Sequence, residues 1–246
     1  MPKVKCTIAY DGSHFFGYQI QPDKRTVQGE LESALQKIHK KNSIRVHASG
    51  RTDTGVHAKG QTIHFESDLK LSSESWTRAL NALLPDDLYV HQSEIVPDQF
   101  HARFDVVEKE YRYFVLNREE RDIFRRKYIY HYPYSLDIEK IERACKYLIG
   151  THDFTTFSSA RATVKGDKIR TLFEVSCRSH GEELEFVFRG SGFLYNMVRI
   201  LVGTLLSVGQ GKIEPNDIIT LLEAKDRSIA GKTAPAEGLY LWRVGY

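Results

Sequence analysis

Gly50-Arg51-Thr52-Asp53-Thr54-Gly55-Val56-His57-Ala58 lies between two strand-like runs, Ile44–Ala48 and Gln61–Glu66. Two glycines let the chain turn there, as the joint of two strands requires. The other residues are not generic turn chemistry: one carboxylate, Asp53, sits among a guanidinium, two hydroxyls and an imidazole. Loops carried by a rigid sheet are where reactive groups concentrate. The plainer alternative is a polar hairpin with an aspartate in an Asx-turn.

Outward from this joint the pattern is regular. Upstream, Lys3–Tyr10 alternates Val4, Cys6, Ile8 and Tyr10 as a strand does. A loop over Asp11–Arg25 follows, and Thr26 opens a helix with Val27, Leu31, Leu35 and Ile38 at helical spacing. Downstream, Ser72–Leu84 reads as a helix with Trp76, Leu80, Leu83 and Leu84 inward, and Leu88–Val96 as a strand. The order β-α-β-β-α-β is the ferredoxin-like arrangement, shared with RNA-recognition modules.

The second half repeats it with additions. Asp105–Leu116 is a long strand, and Asp137–Ile149 a helix with Ile138, Ile141, Cys145 and Leu148 on one face. Thr171–Ser179 and Glu183–Arg189 form a hairpin about His180-Gly181. Leu194–Val208 is a strongly apolar helix, Asn216–Ala224 an extra one, and Leu239–Val244 a closing strand. The expected fold is α+β: two ferredoxin-like halves, 1–104 and 105–246, fused into one mixed, mostly antiparallel central sheet with helices on one face. Such fusion covers edges that otherwise invite aggregation. No linker interrupts the halves, so one continuous module is expected.

At 246 residues with 41% hydrophobic side chains the chain can bury a substantial core. No apolar run approaches the roughly 18 residues that span a bilayer. The N-terminus enters a strand directly, without a signal-peptide apolar region, so a cytoplasmic location and no membrane partner are expected. Cys6, Cys145 and Cys177 are far apart in apolar-periodic segments, which favours buried reduced thiols over disulfides or zinc. Ten histidines are scattered without an H-E-x-x-H, so no metal is expected. The net charge of +3 is mild, but cations cluster at Arg161, Lys165, Lys168 and Arg170, and again at Arg125-Arg126-Lys127 before Tyr128, Tyr130, Tyr132 and Tyr134. Such patches suit a phosphate backbone, or are ordinary solvated charge.

Arg199 is the oddity of the apolar helix. A guanidinium on a helix buried around most of its circumference needs a partner, and a carboxylate matches its fork. The alternative is a narrow solvent stripe shared with Asn196.

Asp53 in its loop, Tyr111 on a strand and Arg199 in an apolar helix together resemble the tRNA pseudouridine synthase A family. The motifs span the chain: Tyr10-Asp11-Gly12, Gly17-Tyr18-Gln19-Ile20-Gln21, the Asp53 loop, Phe100-His101-Ala102-Arg103-Phe104 and Lys109-Glu110-Tyr111-Arg112-Tyr113. They continue through Gly150-Thr151-His152-Asp153-Phe154, Gly192-Phe193-Leu194-Tyr195-Asn196-Met197-Val198-Arg199 and Lys232-Thr233-Ala234-Pro235-Ala236-Glu237-Gly238-Leu239. Thr54 stands where the family often has alanine. The resemblance implies the pseudouridine synthase fold and isomerisation of uridine in the tRNA anticodon stem-loop, at positions 38, 39 or 40. It implies Asp53 as nucleophile, Tyr111 against the target uracil, and Arg199 as partner of Asp53. Arg51 would displace the base or hold its phosphate, with His57 and Leu239 as further substrate-binding residues. It also implies a homodimer whose two subunits both touch each tRNA.

The reaction is redox-neutral and no cofactor is expected. No G-x-G-x-x-G precedes a helix, and Gly231-Lys232-Thr233 resembles a P-loop end but has Asp226 where the opening glycine belongs. Two other classes share features with the chain. Asp53-Thr54-Gly55 is also the D-T-G of aspartic proteases, which need two such carboxylates and so a dimer here. A non-catalytic RNA-binding module could use the same fold.

Overall fold

The computed structural model describes residues 2–40, 43–159 and 167–246. The architecture is α+β with mostly antiparallel strands, in two compact units: Met1–Val107 with Tyr240–Tyr246, and Glu108–Leu239.

In the first unit the elements run β1 (Lys3–Tyr10), α1 (Val27–His39), β2 (His47–Ala48), β3 (His57–Glu66), α2 (Ser73–Asn81) and β4 (Leu88–Val96). β1 lies between β4 and β3 and is antiparallel to both, with Cys6 opposite Ile63 and Ser93. β2 pairs with the far end of β3, His47 opposite His64. The order 4-1-3-2 is that of the ferredoxin-like unit. Alternate residues of β1, Val4, Cys6, Ile8 and Tyr10, are buried. α1 buries Val27, Leu31 and Leu35, and α2 buries Trp76 and Leu80. His39 stacks on Trp76 at 5.5 Å and Phe65 meets the same indole edge-on at 5.1 Å, so α1, α2 and β3 share one core. Each large apolar side chain buried there contributes roughly 1.5–3 kcal/mol. Thr26 and Ser72 start the two helices by accepting from Gly29 N and Ser75 N.

The strand expected over Ile44–Ala48 is cut to two residues. Val46 N donates to the Glu32 carboxylate at 3.0 Å, so its backbone is satisfied by α1 rather than by a ladder. β10 (Leu239–Gly245) takes the near end of β3, with Tyr240 and Leu241 parallel to His57 and Ala58. β3 therefore begins at His57, four residues before its expected start.

In the second unit β5 (Glu108–Leu116) is followed by β6 (Tyr130–His131), α3 (Ile138–Tyr147), β7 (Gly150–Asp153), β8 (Ile169–His180), β9 (Glu183–Gly190), α4 (Met197–Gly209) and α5 (Asp217–Ala224). β9 lies between β5 and β8, and β7 flanks β8, all antiparallel. β6 adds a short parallel pairing to the end of β5. The strand β7 has no apolar alternation and was not expected. α3, capped by the Asp137 carboxylate on Lys140 N, buries Ile141, Ala144 and Cys145. α4 is buried around most of its surface, from Met197 to Val208. It starts three residues later than its apolar run because Asn196 is left-handed (φ 59°) and cannot continue a helix. All three cysteines are buried free thiols, and burial pushes Cys6 up to about 12.

No helix of the described residues is long and apolar enough to cross a membrane.

Candidate active site

The Asp53 loop is held from two sides by buried polar contacts. On one flank Tyr10, at the end of β1, places its hydroxyl 2.8 Å from Thr52 Oγ1. Tyr18 N donates to the Thr52 carbonyl at 3.1 Å, and Gly55 N to the Phe15 carbonyl at 3.4 Å. On the other flank Gln61 of β3, fully buried, donates through Nε2 to the Gly50 carbonyl at 2.9 Å. Its Oε1 accepts from the Ser49 hydroxyl and from Thr62 N. Within the loop Val56 N donates to the Asp53 carbonyl at 3.1 Å, and Gly55 has φ 79°. Asp53 is thus presented half-buried on a braced turn, with Arg51 and Thr54 exposed beside it. Burial raises the Tyr10 hydroxyl far above its ordinary value, so it stays protonated and able to donate.

Gly17 makes this brace sterically tight. It has φ 83°, and a Cβ built there lies 2.9 Å from the Thr52 carbonyl oxygen and 3.3 Å from both Asp53 C and Thr54 N. Only glycine adopts that conformation freely and fits that space.

His57 is almost fully buried at the start of β3. Its Nδ1 accepts from Gly12 N at 3.0 Å and lies 3.2 Å from the Asp11 carboxylate, and its ring stacks on Tyr240 at 4.6 Å. It ties the Asp11-Gly12 corner to β3 beside the loop.

The second unit carries the other residues singled out in the sequence. Tyr111, opposite Phe188 in the β5–β9 ladder, is half-buried and meets Phe193 edge-on at 5.0 Å. Tyr113 is a different kind of residue: fully buried, it donates its hydroxyl to the Pro235 carbonyl at 2.8 Å. Arg199 is half-buried on the first turn of α4, donating through Nε to the Ala234 carbonyl at 2.7 Å and through Nη1 to Asn196 Oδ1 at 3.0 Å. Ala234 N returns a bond to the Arg199 carbonyl at 3.0 Å. The Gly231–Pro235 strap crosses α4 so closely that a Cβ on Gly203 would overlap the Lys232 carbonyl. Leu239, at the end of this strap segment, is buried.

Of the expected backbone-binding cations, Arg161 and Lys165 lie outside the described residues. Arg170 donates to the Ile169 carbonyl and lies 3.6 Å from the Asp167 carboxylate, and the Lys168 carbonyl accepts from Phe154 N. In the other cluster Arg125 is paired with Glu183 at 2.7 Å, and the Tyr130, Tyr132 and Tyr134 rings run in successive edge contacts. No group of three or more His, Cys, Asp or Glu side chains suited to a metal occurs among the described residues.

Sequence reasoning treated Tyr10 as core and did not single out Gln61. A hydroxyl at the end of a buried strand face, and a buried glutamine in a strand, were the available signals.

The first unit thus carries a carboxylate on a rigid loop, and the second unit, by itself, a half-buried tyrosine and a half-buried arginine. The model of the family described as tRNA pseudouridine synthase matches residues 7–105 and 144–246. The chain is 58% identical over 246 residues to a protein of Oceanobacillus iheyensis named tRNA pseudouridine synthase A, covering all of this chain and 97% of that one. It is 59% identical over 244 residues to the protein of that name in Geobacillus kaustophilus, covering 99% of this chain and 94% of the relative. A Bacillus cereus protein named tRNA pseudouridine synthase A 1 is 57% identical over 246 residues, 100% of this chain and 99% of its own. The chain belongs to the tRNA pseudouridine synthase family and is an isomerase by class. With that, the protease reading of Asp53-Thr54-Gly55 falls.

Proposed function

We propose that this enzyme converts uridine to pseudouridine in the anticodon stem-loop of tRNA, at positions 38, 39 or 40, with Asp53 as its nucleophile. The observation that carries the reading is the Asp53 loop itself, braced through Tyr10, Tyr18 and Gln61. A carboxylate fixed to within a fraction of an ångström is what in-line attack requires.

The target nucleotide must leave the helical stem before it can react, at a cost of a few kcal/mol. Tyr111 offsets part of this by stacking or hydrogen bonding to the extruded uracil, since stacking is worth ~1–3 kcal/mol. Arg51, exposed next to Asp53, occupies the space the base leaves or holds its phosphate. The Asp53 carboxylate attacks sugar carbon 1 or uracil carbon 6. The glycosidic bond from nitrogen 1 breaks, the ring turns, and carbon 5 bonds to carbon 1 of the sugar. The carbon 5 proton is lost and nitrogen 1 gains one, so atoms and electrons balance without a cofactor. A covalent intermediate splits one high barrier into two lower ones. Arg199 supplies the positive charge that keeps Asp53 ionised. His57 and Leu239 act by shaping the walls of the site, consistent with their burial. Lys168 and Arg170, with Arg161 and Lys165, hold the RNA backbone. The enzyme works in the cytoplasm as one continuous catalytic module and as a homodimer, both subunits touching each tRNA.

The test is incubation of the purified protein with unmodified tRNA transcripts, without metal or cofactor, and mapping of pseudouridine at nucleotide resolution. Anticodon-arm product made by the wild type and absent with Asp53→Ala is expected. Equal turnover by Asp53→Ala would remove the nucleophile assignment. A folded wild type that binds tRNA and makes no product would favour the non-catalytic RNA-binding module.

A further inference from the structure

Arg227 is a half-buried arginine that pairs with no acid among the described residues. It opens the short 3-10 turn Arg227–Ile229 between α5 and the strap. Its Nη2 donates to Thr233 Oγ1 at 3.1 Å and its Nη1 reaches the Ala230 carbonyl at 3.4 Å. Both acceptors are neutral, and the remaining donors of the five-donor fork meet no acceptor among the described residues. Two acids of adjoining elements are engaged with other partners. Asp226 caps its own turn, accepting from Ser228 N and from the Ser228 hydroxyl, both at 2.8 Å. Asp153 is held by Lys225 at 3.0 Å and by Thr155. Arg25, Arg112, Arg118 and Arg189 each have a carboxylate within 3 Å that raises their pKa. Burial alone acts on Arg227, and it lowers the pKa. A desolvated cation kept without a counter-charge is costly unless a ligand supplies one.

Its position narrows the ligand. Thr233 receives Arg227, and the next residue, Ala234, receives Arg199. The two arginines are thus anchored on consecutive residues of one strap. Lys232, exposed in the same strap, forms no ion pair among the described residues. The donors left over belong to an arginine, whose planar fork fits phosphate.

We infer that Arg227, bonded to Thr233 of the Gly231–Pro235 strap, is a binding site for one phosphodiester of the RNA substrate. This rests on the functional reading given above. An arginine on an RNA phosphate releases counterions, so its signature is in the salt dependence of affinity, which a purely structural brace would not change.

The experiment measures binding of an unmodified tRNA transcript from 50 to 300 mM KCl for wild type, Arg227→Gln, Arg227→Lys and Thr233→Val. Thermal melting is followed in parallel. Arg227→Gln should lower the slope of log K against log salt by about 0.7–0.9. Its Kd at low salt should rise about tenfold, the loss expected for a charge-assisted hydrogen bond. Arg227→Lys should restore most of the slope. Thr233→Val, which loosens the strap without removing charge, should keep it. A wild-type slope in Arg227→Gln overturns the site, whatever happens to its melting temperature. Arg227→Met, a second neutral variant, decides the matter if glutamine prevents folding. Isomerisation by the wild type is scored on the same transcripts. A lowered slope without pseudouridine keeps the phosphate site and sinks the catalytic reading. Pseudouridine with an unchanged slope sinks the phosphate site alone.

Discussion

Gly17→Ala is the sharpest probe of the brace around Asp53. The glycine has φ 83°, and an alanine Cβ would lie 2.9 Å from the Thr52 carbonyl oxygen and 3.3 Å from Asp53 C and Thr54 N. All three neighbours are backbone, so no side chain can swing away. The left-handed conformation costs an L-residue about 1–2 kcal/mol. Moving the loop aside strains the 3.1 Å bond from Tyr18 N to the Thr52 carbonyl and the 2.8 Å bond between Tyr10 and Thr52. A buried hydrogen bond of this kind is worth about 1 kcal/mol. Together these give a destabilisation of about 2–3 kcal/mol. The catalytic loss should be separate. A shift of a few tenths of an ångström in Asp53 is a fraction of the 1 Å displacement that costs about a hundredfold, so single-turnover isomerisation should slow about tenfold. The assay is urea denaturation for stability, then pseudouridine formation on saturating tRNA at a temperature where the variant is fully folded. Wild-type turnover by a folded Gly17→Ala would show that Asp53 does not depend on the 12–18 segment, and the reasoning would fail.

Arg199→Ala removes the bonds to Ala234 and Asn196 and should lower both activity and melting temperature; loss of activity at an unchanged melting temperature would contradict its structural anchoring. Tyr111→Phe should keep most tRNA affinity if the ring acts by stacking, and full isomerisation by this variant would exclude the hydroxyl as the base that removes the carbon 5 proton. Acid should weaken the fold through His47 and His64, which stack at 5.0 Å near His101. Burial first, then the neighbouring imidazoles, lower His64 to about 4, and burial lowers His47. The unfolded chain binds these protons near pH 6.5, so it holds more protons than the folded state between pH 6.5 and 4, and stability falls as pH falls through that window. Melting curves from pH 7 to pH 4 should show the decline, less steep in His64→Gln; an identical decline in the variant would remove His64 as its source.

The parts of the fold written in local periodicity were legible. The alternation of Val4, Cys6, Ile8 and Tyr10 and the helical spacing of Val27, Leu31 and Leu35 follow from one buried face each, and both elements lie where that pattern put them. The misreadings of Ile44–Ala48 and of β7 come from partners distant in sequence. Val46 leaves its strand because Glu32 takes its N–H. β7 forms because β8 offers it an edge, not because its own four residues favour a strand. The candidate loop was visible because Asp53, Arg51 and His57 are unusual company for a turn. Its brace was not, since the Tyr10 hydroxyl and the Gln61 amide act through contacts 42 and 11 residues away. Arg199 asked for a partner, and periodicity could not say that a carbonyl 35 residues on would answer within its own unit.

The unit that carries Asp53 is discontinuous in sequence: residues 108–239 are threaded between its main body and its final strand segment, Tyr240–Tyr246. On the ribosome this becomes a matter of timing. At about 5–20 residues per second, the strand that seats Tyr240 on His57 and donates Tyr246 Oη to the Ala102 carbonyl emerges on the order of ten seconds after the rest of its unit. Until then the near end of β3 is an open edge, and the imidazole that anchors the Asp11-Gly12 corner lacks its aromatic cover. The nascent first unit therefore waits in an unfinished state and is completed only after the second unit has been translated.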